Sequence, residues 1–244
     1  VSNQYKKFVL NDKVDFLVYL RQLIIVSTKC LKKYDLYVKQ LEEKIEELEL
    51  NKRPNRKIDS EIYEEFNDKM QRNSNQLLNI FGDLQPDSMS YYKFRKILLK
   101  RNIEVKETLG DLSKELWKNL KDVNIARNWG MHEPESLLNA HLENIKEQWS
   151  KEELEIYRTR FSPIHVPNFL AYEGKWLISL LEEFKTNRKG YDELYNSMIS
   201  DYEKLIEQSL EIKYVDFKVR PLESEIILPK TSLEMQLRKY EPKE

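Results

Sequence analysis

The chain has a single cysteine, Cys30, three histidines and five glycines in 244 residues. One cysteine excludes a disulfide scaffold, and a chain of this length can bury a core without covalent staples. The glycines (Gly82, Gly110, Gly130, Gly174 and Gly190) are isolated from one another. Dinucleotide-binding and P-loop folds cradle phosphate with clustered glycines, so those folds are excluded. An excess of charge of one sign is also missing: 41 Lys and Arg face 42 Asp and Glu, for a formal net charge of -1. Nothing in the overall balance draws the chain onto nucleic acid or an anionic membrane. Nor is there a long apolar run. The stretch around Leu23 to Val26 is interrupted by Arg21 and Lys29, far short of the ~20 apolar residues of a membrane span. Lys6, Lys7, Asp12 and Lys13 near the start do not read as a secretory leader. The expectation is a reduced, cytoplasmic chain without membrane association.

What is present is charge and helical periodicity. Charged residues make up 34%, against roughly 25% in average soluble chains, and with so little glycine this composition predicts an all-α fold. From Leu17 the apolar positions run Leu20, Ile24, Leu31, Tyr34, Val38, Leu41, Ile45 and Leu48, with Ser27 in the one polar slot. This alternation of threes and fours is a heptad seam. It predicts either a long first helix projecting as a coiled-coil arm or a helical hairpin packed back on its own bundle. The helix should stop near Asn51, because Pro54 follows. A second helix is expected from Asp59 or Ser60 to Gly82, a third from Ser90, and a fourth carrying Val105, Leu109, Leu112, Leu116, Leu120 and Val123 across Gly110. Trp129-Gly130 predicts a left-handed C-terminal turn, and Pro134 the start of a helix with the stripe Leu137, Leu138, Leu142, Ile145 and Trp149.

Pro163 and Pro167 break the pattern. Two more helices follow, one from Phe169 to Leu181 and one from Tyr191 to Ile206, and then alternation in short pieces (Val215, Phe217, Val219; Ile226 to Leu228). The expected organisation is a helical bundle over residues 1-161, a C-terminal helical pair packed on it over 162-211, and a short extended tail over 212-244.

The inventory of reactive side chains is small. No two of His132, His141 and His165 lie three or four apart, no Glu-x-x-His pair exists, and Cys30 has no cysteine neighbour. Neither a zinc site nor a di-iron bundle site has its usual spacing, so no metal and no cofactor is expected. No Gly-x-Ser-x-Gly elbow is present, and Cys30 beside Leu31 reads as a buried thiol.

One segment stands apart: Ala126-Arg127-Asn128-Trp129-Gly130-Met131-His132-Glu133-Pro134. Arg and His five positions apart across a helix junction can reach into one crevice. RNA cleavage without a metal needs a base for the ribose 2′-OH, an acid for the leaving 5′-oxygen and a fixed positive charge on the phosphorane. Histidine serves either proton-transfer role, and arginine offers forked donors to phosphate oxygens. Two copies of the chain would supply both acid and base.

This segment resembles the Arg, four to six residues, His motif of HEPN proteins, all-helical domains many of which are metal-independent endoribonucleases of toxin-antitoxin and abortive-infection systems. The family often places a polar residue directly after the Arg, as Asn128 stands here. The resemblance implies a HEPN-like bundle and a homodimer with facing motifs. It implies Arg127 and His132 as catalytic residues with Asn128 in support, cleavage by 2′-OH attack, and an RNA substrate with an antitoxin or other protein partner. Arg160 and His165 repeat the spacing, but Phe161 replaces the polar residue and the prolines make that copy a linker. The other reading of Arg127 and His132 is a helix-end cation and a capping histidine. The chain would then be a non-catalytic α-helical scaffold or a nucleic-acid-binding protein, dimerising through its long helix. Lys93, Lys96 and Lys100 form a basic stripe beside Tyr91 and Tyr92 and are candidate substrate contacts.

Overall fold

A computed structural model describes residues 8–131, 135–164, 166 and 168–216. Among them the chain forms an all-α bundle of eight helices with one minimal sheet. The first helix, α1 (Lys13–Glu47), is 35 residues long. Asp12 caps it, accepting from the Val14 and Asp15 amides, while the Asp15 carboxylate accepts from the Asp12 amide. This reciprocal pair satisfies donors that every helix start leaves open. The heptad positions Leu20, Ile24, Ser27, Leu31, Tyr34, Leu41 and Ile45 are buried. Ser27, in the polar slot, returns its hydroxyl to the Leu23 carbonyl at 2.7 Å.

The same chain covers that seam. Helices α2 (Ser60–Gly82) and α8 (Lys175–Ile206) pack along α1, and polar links pin them in register. Tyr34 Oη donates to the Phe184 carbonyl at 2.9 Å, and Asn73 Nδ2 donates to the Cys30 carbonyl at 3.0 Å. The hairpin alternative is therefore the one formed. The expectation of a projecting arm is corrected: the seam's apolar positions are covered from within the chain.

Three further corrections concern helix boundaries. In place of the predicted helical pair over 169–206 there is one 32-residue helix, α8, which starts only at Lys175. Gly190 does not break it, because Phe184, Tyr191, Leu194, Met198 and Leu205 anchor both halves in one core. Conversely, the predicted fourth helix is two, α4 (Ile103–Leu109) and α5 (Lys114–Met131). Gly110 stands between them at φ 64° and ψ −173°, a positive-φ extended conformation open to glycine, and its amide donates to the Lys106 carbonyl to close α4. The left-handed turn expected at Trp129-Gly130 is absent, since α5 runs through both residues.

Asp59 and Ser90 cap α2 and α3 (Tyr91–Lys96) as predicted, and a 3-10 turn, Leu98–Arg101, follows. Two three-residue strands, β1 (Lys57–Asp59) and β2 (Ala171–Glu173), pair antiparallel with Ile58 opposite Tyr172. They were not anticipated, being too short for a period-two pattern to show. Just after β2, a Cβ on Gly174 would stand 2.7 Å from Leu50 Cδ2 and 3.2 Å from the Pro54 carbonyl oxygen, so the turn after α1 and the start of α8 meet closely at this residue. The segment between α5 and β2 holds α6 (Glu135–Gln148) and α7 (Lys151–Thr159), neither of which packs extensively on another helix. Residues 212–216 have no regular structure. The remainder of the predicted tail, with His132, Pro134, His165 and Pro167, lies outside the described residues.

Candidate functional site

The C-terminal half of α5 is held against the end of α2 by a close crossing. A Cβ on Gly82 would meet Val123 Cγ1 at 2.8 Å and the Asn124 amide nitrogen at 2.9 Å, and Asn124 Nδ2 donates to the Gly82 carbonyl at 2.7 Å. With the helices this near, the final turn of α2 presents Asn79 and Asp83 directly to Arg127. Arg127 Nε donates to Asn79 Oδ1 at 3.0 Å and one terminal nitrogen to Asp83 Oδ2 at 3.2 Å. The other terminal nitrogen donates to Asn128 Oδ1 at 3.2 Å. Both members of the Arg127–Asp83 pair are buried. Breaking such a pair by removing one partner costs about 3–5 kcal/mol, because an uncompensated charge remains in the interior.

Of the predicted catalytic set, then, Arg127 faces inward and ties α5 to α2. Asn128 is exposed beside it and Trp129 is half-exposed. The placement of His132 lies outside the described residues, and His141 is exposed on α6. The predicted basic stripe does not sit on one helix, since α3 ends at Lys96 and Lys100 belongs to the 3-10 turn. Lys93 Nζ donates to the carbonyls of Gln85 (3.1 Å), Ser88 (2.9 Å) and Pro86, closing the loop before α3. The Lys96 ammonium lies 4.9 Å from the centre of the Tyr92 ring. Tyr91 and Tyr92 are core residues, so their rings are not free to stack on bases.

A second polar cluster escaped the reading of the sequence. Arg95 and Asp201 form an ion pair with both side chains almost wholly buried. Arg95 also donates to the Gly110 carbonyl at 2.8 Å, and Tyr91 Oη donates to Asp201 Oδ2 at 2.7 Å. Burial pushes the Asp201 carboxyl above the ordinary aspartate range, against the opposing pull of Arg95 and the Tyr91 hydroxyl. Burial likewise raises the Tyr91 phenol, with the Asp201 charge adding to it. The signal was present: Leu194, Met198, Asp201 and Leu205 share one helical stripe, and a carboxylate in a core position demands a buried cation.

This pair forms part of the wall of an open cleft of about 770 Å³ between α5 and α8. A second cavity of about 380 Å³ lies further along the same two helices and is closed on its far side by α2. Among the described residues no group of three or more His, Cys, Asp or Glu side chains is placed to hold a metal ion. None of the described helices is long and apolar enough to cross a membrane. The chain matches no family model, no curated protein and no solved structure.

Proposed function

We propose that this chain is a non-catalytic α-helical scaffold, working in the cytoplasm, that offers the α6–α7 segment to a protein partner. The inward turn of Arg127 carries this reading. A guanidinium already donating to Asn79, Asp83 and Asn128 is committed to holding two helices together. To stabilise a phosphorane, its donors would have to be aimed at the developing charge. The exposed apolar residues Leu137, Leu138, Trp149 and Ile156 on or beside α6 and α7 supply the contact surface.

A second reading is the metal-independent endoribonuclease, in which a dimer brings Arg127, Asn128 and His132 from each copy to one cleft. There Lys93, Lys96 and Lys100 would contact RNA. The observation favouring it is the bond from Arg127 to Asn128, which carries the guanidinium's influence to an exposed side chain.

Incubation of the protein and its His132→Ala variant with total RNA and a labelled oligonucleotide in EDTA separates the two. The scaffold reading expects intact RNA in both. Cuts ending in 2′,3′-cyclic phosphate that vanish in the variant would instead establish the ribonuclease.

A further inference from the structure

Beyond α8 the chain does not leave the bundle. Glu207 takes the left-handed conformation at φ 57° and turns the chain back along the helix it has just left. The Leu210 amide donates to Glu203 Oε1 at 2.9 Å, and Leu210 packs against the core. Four residues on, the Lys32 ammonium of α1 lies 4.4 Å from the centre of the Tyr214 ring. Burial raises the Tyr195 phenol of α8, its bond to Thr28 offsets part of that rise, and the nearby Tyr214 phenol adds to it. Tyr195 and Thr28 share a hydrogen bond of 2.6 Å across the two helices, so Tyr214 sits over the α1–α8 seam.

These contacts fix a direction and a conformation. From Glu203 back to Tyr195 is eight helical residues, about 12 Å, and four extended residues from Leu210 to Tyr214 span about 13 Å. The segment is therefore extended and runs antiparallel to α8. Helix α1 is itself antiparallel to α8, with Lys13 meeting Glu207 at one end and Asp35 meeting Arg188 towards the other. The segment thus follows α1 towards its C-terminal end. Its two faces are also sorted. Glu211 and Lys213 pair with one another at 2.9 Å on the outer side, both largely exposed. Leu210, Ile212 and Tyr214 form the alternate set, and Ile212 is 41% exposed against 71% for Val215. Carried on with period two, the alternation sets Phe217 and Val219 outward with Val215, and Lys218 and Arg220 towards the helices.

The described residues end at Asp216, and 28 more follow in the sequence. Each extended residue passes about two helical ones. Measured from Lys32, Lys218 comes level with about residue 41 of α1 and Arg220 with about residue 45. There α1 carries Glu42, Glu43, Glu46 and Glu47 beside Lys44. The inward positions of the segment and the end of the seam are opposite in charge at the same level.

We infer that residues 217–220 continue this seated segment to the end of the α1–α8 seam, with Lys218 and Arg220 against the carboxylates of Glu42, Glu43 and Glu46. The strap ties the first helix to the last from outside the core, and it fills the acidic end of α1 with the chain's own cations.

The test is disulfide formation in the full chain, in a Cys30→Ala background and a glutathione buffer. Arg220→Cys is combined in turn with Glu43→Cys, Glu46→Cys, Lys29→Cys or Asn196→Cys, four exposed partner positions. A tail free beyond Tyr214 reaches all four at comparable rates, because the cost of closing a loop varies slowly with its span. A seated strap is expected to bond Glu43→Cys or Glu46→Cys at least about tenfold faster than the other two, through its higher local concentration there. Lys218→Glu should bring the Glu46→Cys rate down to that of Lys29→Cys, whereas Lys230→Glu, the same charge change further along, should leave it as it was. Equal rates at all four positions, a faster bond at Lys29→Cys or Asn196→Cys, or equal slowing by Lys218→Glu and Lys230→Glu would each overturn the inference. So would bonds joining two chains rather than closing within one, since the occupant of the seam would then be the tail of a second copy.

Discussion

The bundle and the α6–α7 segment are written in the same helical alphabet and end in opposite states. In the bundle, α1, α2 and α8 bury their apolar stripes in a core that includes Phe16, Tyr34, Phe81, Phe94 and Phe184. In α6 the stripe Leu137, Leu138, Leu142, Ile145 and Trp149 has the same spacing, yet Ile145 alone of these is buried. Within α7 there is no buried side chain, and among the described residues its ring contact, Tyr157 with Trp149, is local. Periodicity states that a face calls for a cover. Whether the cover comes from the same chain is decided by topology, and among the described residues topology supplies it to one region and not to the other.

The largest expected contrast between the regions comes from the bundle's buried charges. Asp201→Ala leaves Arg95 unpaired in the core and should cost about 3–5 kcal/mol, read as a shift of the urea unfolding midpoint. Next comes the helix crossing: Gly82→Ala forces a methyl onto Val123 and should cost about 1–3 kcal/mol, again by urea denaturation. In the α6–α7 segment, by contrast, Leu138→Ser and Phe161→Ser should each change stability by less than about 0.5 kcal/mol. A loss comparable with that of Gly82→Ala would mean that the segment is packed after all. The smallest effect is electrostatic. Hydrogen bonds from the Ser150 amide and hydroxyl hold the Glu153 carboxyl below the ordinary glutamate range. A lowered carboxylate stabilises the folded form above its unfolded value and loses that contribution as pH falls through the folded value. The capping box of α7 should therefore weaken only below the usual glutamate range. Ser150→Ala removes the hydroxyl but keeps the amide, so Glu153 should move only part of the way back to that range, measured by NMR titration of its carboxyl.

Much of the bundle was legible in the residues. Leu20, Ile24, Leu31, Tyr34, Leu41 and Ile45 were readable as one buried face, and Asp59 and Ser90 as caps, because both signals are local. The cis packing of the α1 seam was not, since no spacing within residues 17–48 tells whether its partner lies 130 residues on or in another molecule. Gly110 and Gly190 show the same limit from the other side. One ends a helix at positive φ and the other sits inside one, although core residues flank both on either side. For the candidate site, the chemistry of Arg127 was readable from its type. Its direction was not, because that depends on Asn79 and Asp83 arriving from α2. Asp201 was the converse, a core-stripe carboxylate whose need for a cation could have been read in advance.

The pairing of α1 with α8 also has a consequence for how the chain is made. Glu47 and Lys175 are separated by 127 residues, and synthesis at about 5–20 residues per second takes roughly 6–25 s to cross that interval. Throughout it, the side of α1 destined for α8 has emerged without its cover, although α2 is already available to the neighbouring side. The heptad seam that is silent in the finished fold is thus a sticky surface on the ribosome, and contacts made there compete with α8 for α1.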